Sequence, residues 1–132
     1  MVIVRARVVV RGFKGSIEET ALVDTGATLT LLDRRAAEDV GVRLTGRKVR
    51  VVVADGHEVV GELAVVESIV VEGEELPGAH VLVVDVPRRL VDMLRSFNLS
   101  DRCILGASTL EILGLAPNTV TGRVEKVGLF LV

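Results

Sequence analysis

Asp24-Thr25-Gly26 places a carboxylate directly after an apolar run, Ala21 to Val23, and just before Ala27 and a second apolar stretch, Leu29 to Leu32. A carboxylate presented at the end of an apolar strand becomes chemically useful when it meets a second one. Two such groups held about 3 Å apart cannot both ionise, so they share one proton; one activates a water while the other polarises a carbonyl. The glycine lets a partner loop approach closely, and the threonine hydroxyl can brace that loop. The tripeptide by itself is also the composition of an ordinary turn with an Asx-type cap.

A second segment lies far downstream: Ile104-Leu105-Gly106, followed by Ser108, Thr109, Leu110 to Leu113 and then Gly114. Between the two stands Val51-Val52-Val53-Ala54-Asp55-Gly56. In this order the three segments resemble the retroviral-type, retropepsin-like aspartic protease family, which includes single-domain cellular and archaeal members. The resemblance runs from Arg5 to Val127. It implies an all-β fold, a closed acid-protease β-barrel with short helices, with one lobe per chain in a twofold homodimer. It implies a catalytic role for Asp24, Thr25 and Gly26, substrate contacts from Ala27 and from a flap tip at Ala54, Asp55, Gly56 and His57, and active-site support from Ile104, Leu105 and Gly106. Neither a cofactor nor a metal is implied. The substrate would be an extended peptide or unfolded protein, added as a strand between flap and catalytic floor. Ala27 stands where pepsin-like enzymes usually have a serine, which removes one donor to the carboxylates and implies a less acidic optimum. The chain departs from many cellular relatives at Ser108 and Asn118, where those carry acidic residues. Its segment Asp85 to Asp101 is longer than the corresponding viral connection.

At 132 residues the chain suffices for one core, read as a single domain over residues 1–132, and is too short for two lobes that each supply an aspartate. Since only one Asp-Thr-Gly is present, protease chemistry requires a homodimer that sets Asp24 beside its symmetry mate. A different class of function is a dimerisation or peptide-binding module with the same fold and little catalysis. The intact Asp-Thr-Gly favours the enzyme, because a scaffold gains nothing from two facing carboxylates and suffers their repulsion. A metal-dependent hydrolase built on Asp24, His57 and His80 lacks any helical His-x-x-x-His spacing.

The net charge of −2, from 16 basic and 18 acidic residues, and the absence of Tyr and Trp argue against nucleic acid as a partner. No apolar stretch reaches the roughly 18 residues of a membrane span, and the alternating start Met1 to Arg7 reads as a strand rather than a signal peptide, so a cytoplasmic location without a membrane partner is expected. The single cysteine, Cys103, excludes an intrachain disulfide and reads as a small buried hydrophobe. Glutamine is absent and asparagine occurs only at Asn98 and Asn118, a pattern that fits heat-adapted proteins.

The elements that must position these residues follow from periodicity. Val2 to Val10 and Ile17 to Val23 read as a hairpin across Gly12 and Gly15. Asp33 is an N-cap for a helix over Arg34 to Val40 that Gly41 stops. Val49 to Val53 and His57 to Val65 flank Asp55-Gly56, a pair that favours a type I′ turn, and form the flap. Glu67 to Val71 and Ala79 to Val84 read as strands separated by an acidic turn at Glu72 to Glu75. Pro87 opens a helix whose Leu90, Val91, Met93, Leu94 and Phe97 share one face, packed against the sheet or, less simply, forming a dimer contact or lid. Ser108 and Glu111 are spaced as a capping box for the helix ending at Gly114. Gly122 to Val132 returns to strand alternation.

Overall fold

The computed structural model describes residues 2–52 and 56–128. The hairpin at the start is present as β1 (Arg5–Arg11) and β2 (Ser16–Val23), paired antiparallel from Arg5 opposite Leu22 to Arg11 opposite Ser16. After β3 (Thr30–Asp33), the Asp33 carboxylate accepts the Arg35 N–H at 3.2 Å and opens α1 (Arg34–Val40). Gly41 ends that helix at φ 79°, returning its N–H to the Ala37 carbonyl, a conformation that costs glycine little. The long hairpin of β4 (Arg43–Val52) and β5 (Glu58–Val65) follows, then β6 (Ser68–Val71) and β8 (His80–Val84). Then come α2 (Arg88–Ser96), β9 (Cys103–Leu105), α3 (Ala107–Leu113) and β11 (Arg123–Lys126).

Four strands were not expected: β3 and β9, whose apolar segments carried no strand reading, and two more at 74–77 and 115–118. β7 (Glu74–Pro77) pairs back onto β6, and the acidic turn shrinks to Glu72 and Gly73, both with positive φ, of 47° and 84°. Acidic residues and a proline hide a strand that sits at the edge of its sheet, where a missing donor does no harm. β10 (Leu115–Asn118) pairs with β11 and likewise contains a proline, Pro117. Four further expectations need correction. The closed barrel is not found: nine strands run in the order β4-β5-β8-β3-β9-β2-β1-β6-β7, and among the described residues no pairing joins the edge strands β4 and β7. The helix over Arg88–Ser96 buries only Leu90 and Leu94, with Val91 half-buried and Met93 and Phe97 exposed. The capping box is not formed, because α3 starts one residue before Ser108 with Gly106 as N-cap and no side-chain cap. The tail is strand only over Arg123–Lys126, and residues 129–132 of the expected strand lie outside the described residues.

The middle of the sheet is apolar on both faces. Leu32, Val81, Val83, Cys103 and Leu105 point into the larger core, with Ala36 and Val40 of α1 and Leu110 of α3. Their neighbours in sequence, Leu31, Leu82, Val84 and Ile104, point the other way into a second cluster closed by Leu90 and Leu94 of α2. Strands buried on both sides read as continuous hydrophobic runs instead of alternating ones, and they carry most of the hydrophobic stabilisation at about 2 kcal/mol per fully buried leucine. By contrast, no residue of β4 is fully buried, and the hairpin meets the second cluster only through the partly buried Val49, Val51 and Val59.

At the centre, β9 runs parallel to β2, with Leu22 opposite Ile104 and Val23 opposite Leu105, and antiparallel to β3 on its other side. This brings Gly106 against the chain that enters β3. A Cβ at Gly106 would sit 2.4 Å from the Leu29 carbonyl carbon and oxygen, so no larger residue fits without moving backbone. The Gly106 N–H donates to Thr30 Oγ1 at 3.1 Å, and the fully buried Thr30 hydroxyl meets Thr109 Oγ1 at 2.7 Å.

Three outcomes are expected. In denaturant titrations Gly106→Ala loses about 3 kcal/mol or more. Thr30→Val loses about 1–3 kcal/mol and more than Thr109→Val, because only the first leaves the buried Gly106 N–H without an acceptor. The Cys103 thiol, fully buried and pushed up to about 12 by desolvation, should resist iodoacetamide at about pH 8 until denaturant opens the core.

Candidate active site

The apolar end of β2 delivers Asp24 to the point where the chain leaves the sheet. Val23 still bonds to the Val4 carbonyl, and the Asp24 N–H donates to the Leu105 carbonyl at 2.9 Å. The chain then turns sharply: the Ala27 N–H donates to the Asp24 carbonyl at 3.1 Å and the Gly26 N–H donates to Asp24 Oδ1 at 3.0 Å. This is an Asx turn, so the ordinary local reading of the tripeptide is present together with whatever chemistry it supports. One carboxylate oxygen is held by the loop, and the other makes no hydrogen bond among the described residues. Asp24 is half-buried, whereas Thr25 and Gly26 are exposed.

The rest of the loop is tied to the start of α3. Ala107 N–H donates to the Ala27 carbonyl at 2.7 Å and Ser108 N–H to the Thr28 carbonyl at 3.0 Å. Those two donors belong to a helix N-terminus and need acceptors; the loop supplies them, which is why the capping box is dispensable. Ile104, Leu105 and Gly106 therefore lie beside the Asp24 loop. Ile104 lines the groove described below, Leu105 is fully buried and supplies a carbonyl, and Gly106 makes the close crossing.

Asp24 lies in a half-open groove of about 1030 Å³. Its floor is Gly26, Ala27, Leu31 and Ile104; one wall is the inner side of β4, with Val49 and Val51, and the far end reaches Ala79, His80 and Ile112. The flap-tip expectations fare differently. Ala54 and Asp55 lie outside the described residues. Gly56 has φ 89°, which suits a hairpin turn, and both it and His57 are exposed and form no part of the groove wall. The wall comes instead from the hairpin's stem. His57 and His80 do not join Asp24: no set of three His, Cys, Asp or Glu gathers for a metal among the described residues. No helix there is long and apolar enough to cross a membrane.

The residues missed from sequence were Thr30 and Thr109, which carry the buried hydroxyl pair, and the β4 side chains that face the groove. A signal existed for the first. Thr30 interrupts the apolar run Leu29 to Leu32, and a hydroxyl inside a strand buried on both faces requires a partner.

Comparison with known proteins agrees with this geometry. A family model described as aspartyl protease matches residues 6–109, a span that includes both Asp24 and Gly106. No curated protein matches the chain. Among solved structures, the fold is similar to that of a retropepsin-like aspartic protease from Rickettsia conorii, with a TM-score of 0.51 and 20% identity over 85% of this chain and 73% of that one. The chain belongs to the aspartyl protease family and has its retropepsin-like fold.

Proposed function

We propose that the protein is an aspartic endopeptidase that works as a twofold homodimer. The observation that carries this reading is Asp24: a carboxylate on the floor of an apolar groove, with one oxygen fixed by its own loop and the other unengaged. The loop residues Thr25 and Gly26 are exposed, so a second copy has a surface to meet. Gly26 has only the Asp24 carboxylate near its missing Cβ, which leaves room for a facing loop. Thr25 braces the facing loop through its hydroxyl, and Ala27 contacts the peptide.

In the dimer the two Asp24 carboxylates hold one proton between them. The ionised one takes a proton from a bound water as the water oxygen attacks the peptide carbonyl. The protonated one gives its proton to the carbonyl oxygen, and a neutral tetrahedral diol results. Collapse returns a hydroxyl proton to one carboxylate while the amide nitrogen leaves as an amine, protonated by the other. The groove's apolar walls strengthen these charge interactions by excluding water. The extended peptide lies along β4, and Ile104, Leu105 and Gly106 keep the aspartate loop in place.

A mixture of diverse peptides, incubated over about pH 3 to 8, provides the test. Cleavage should follow a bell-shaped pH curve that belongs to the pair of carboxylates. At concentrations where the dimer dissociates, the rate should rise with the square of protein concentration, tracking the dimer seen by light scattering. Asp24→Asn should lower turnover to background while the dimer persists, and turnover retained by that variant refutes the mechanism.

A further inference from the structure

The groove wall holds a cation that the proposed reaction does not use. Along the exposed stem of β4, Val49 and Val51 line the groove, Lys48 lies off it, and Arg50 reaches it as well. Both of these cations are neutralised across the hairpin: Lys48 Nζ lies 3.4 Å from Glu62 Oε1, and Arg50 Nε lies 3.0 Å from Glu58 Oε1. Arg47 is different. Like Arg50 it lines the groove and is exposed, but unlike Arg50 it has no ion-pair partner among the described residues. The cross-strand carboxylate Glu62, opposite the neighbouring Lys48, is already engaged by Lys48 and by the Gly46 N–H at 3.3 Å.

The backbone is shaped to hold Arg47 there. Leu44 pairs with Ala64 and Lys48 with Glu62, so three residues of β4, 45 to 47, stand opposite the single residue Leu63. This bulge is built with Gly46 at φ 82° and is bolted by Thr45, whose hydroxyl donates to the Leu63 carbonyl at 2.7 Å and accepts the Arg47 N–H at 3.2 Å. Bulges of this kind re-aim a side chain next to a site. The result is a guanidinium on the same wall as Val49, two residues or about 7 Å along the strand. Among the described residues that line the groove, Asp24 is the only carboxylate.

We propose that Arg47 forms a specificity subsite for an acidic side chain of the extended peptide, so that the preferred substrate combines apolar residues around the cleaved bond with an Asp or Glu at one fixed position away from it. This rests on the groove being the peptide site. The chemistry is that of a planar guanidinium and a carboxylate, which form paired charge-assisted hydrogen bonds. The half-enclosed apolar surroundings make the pair stronger than one on an open surface. Strand-like binding fixes the register, because side chains of an extended peptide meet one wall at every second residue.

The experiment has two arms, so that its failure is separable from failure of the catalytic reading. In the first, peptides differing only by Glu, Gln or Lys at each successive position are cleaved by wild type, Arg47→Gln and Arg47→Glu. Wild type should favour Glu over Gln about tenfold in kcat/KM at one position, a difference that shrinks as salt is added. Arg47→Gln should abolish the preference, and Arg47→Glu should transfer it to Lys. In the second arm, the same peptides, fluorescently labelled, are titrated with Asp24→Asn protein, with and without the Arg47 changes, so that no turnover is needed. The same ranking in affinity supports the subsite even if wild type cleaves nothing. A Glu-to-Gln ratio that is unchanged in Arg47→Gln, or no Glu preference in either arm, overturns it.

Discussion

The close passage of Gly106 over the backbone of Leu29 is the constraint from which the site hangs. Two chain segments separated by most of the sequence meet there with no side chain between them, and the polar backbone groups this buries must find partners. They find them in each other. The Leu105 carbonyl takes the Asp24 N–H, the Ala27 and Thr28 carbonyls take the first donors of α3, and the Thr30 hydroxyl takes the Gly106 N–H. Each bond is modest alone, about 1 kcal/mol net, but each left unmade would strand a buried group at greater cost. The aspartate loop is thus over-determined by its neighbours, and a carboxylate on it has little freedom to wander.

Much of this was legible because the responsible residues have few alternatives. Asp33 and Gly41 delimit α1 through cap chemistry that is local, and the 5–23 hairpin needs only alternation and a turn. The two glycine motifs pointed to each other only through a family resemblance; nothing local in Ile104-Leu105-Gly106 says which backbone it must touch. Where the reading failed, a tertiary partner had displaced a local rule. Ser108 and Glu111 have the spacing of a capping box, yet the loop carbonyls at Ala27 and Thr28 claim the helix donors first. Met93 and Phe97 have the spacing of a buried face, yet α2 covers its cluster with Leu90 and Leu94 alone. The edge strand at 74–77 is acidic and ends in proline, and only its pairing with β6 reveals it.

Packing is distributed unevenly across the groove, and the asymmetry is functional in form. The floor belongs to strands buried on both faces, where displacement of any side chain disturbs two cores. The β4–β5 wall has its polar side dressed with ion pairs and leaves Val52 and Val60 exposed. Exposed pairs of that kind contribute about 0–1 kcal/mol each, too little to pin a hairpin down. The wall's remaining hold is the partly buried packing of Val49, Val51 and Val59 on the second cluster and the pairing of β5 with β8, so its free energy of local opening is lower than that of the floor.

The same economy bears on why one chain supplies a single aspartate. A second aspartate loop within the chain would demand a second crossing of the Gly106 kind and a second core beneath it, and 132 residues do not contain that material. In the proposed dimer, twofold pairing doubles the site without new sequence, since any contact between the two loops is made twice. In that proposed dimer the electrostatics would be self-limiting: two copies of one carboxylate in one groove repel unless a proton sits between them, so assembly and the shared-proton state would stabilise each other. In the proposed dimer, assembly and acid–base chemistry are therefore linked quantities, and a change in either pH or protein concentration moves both.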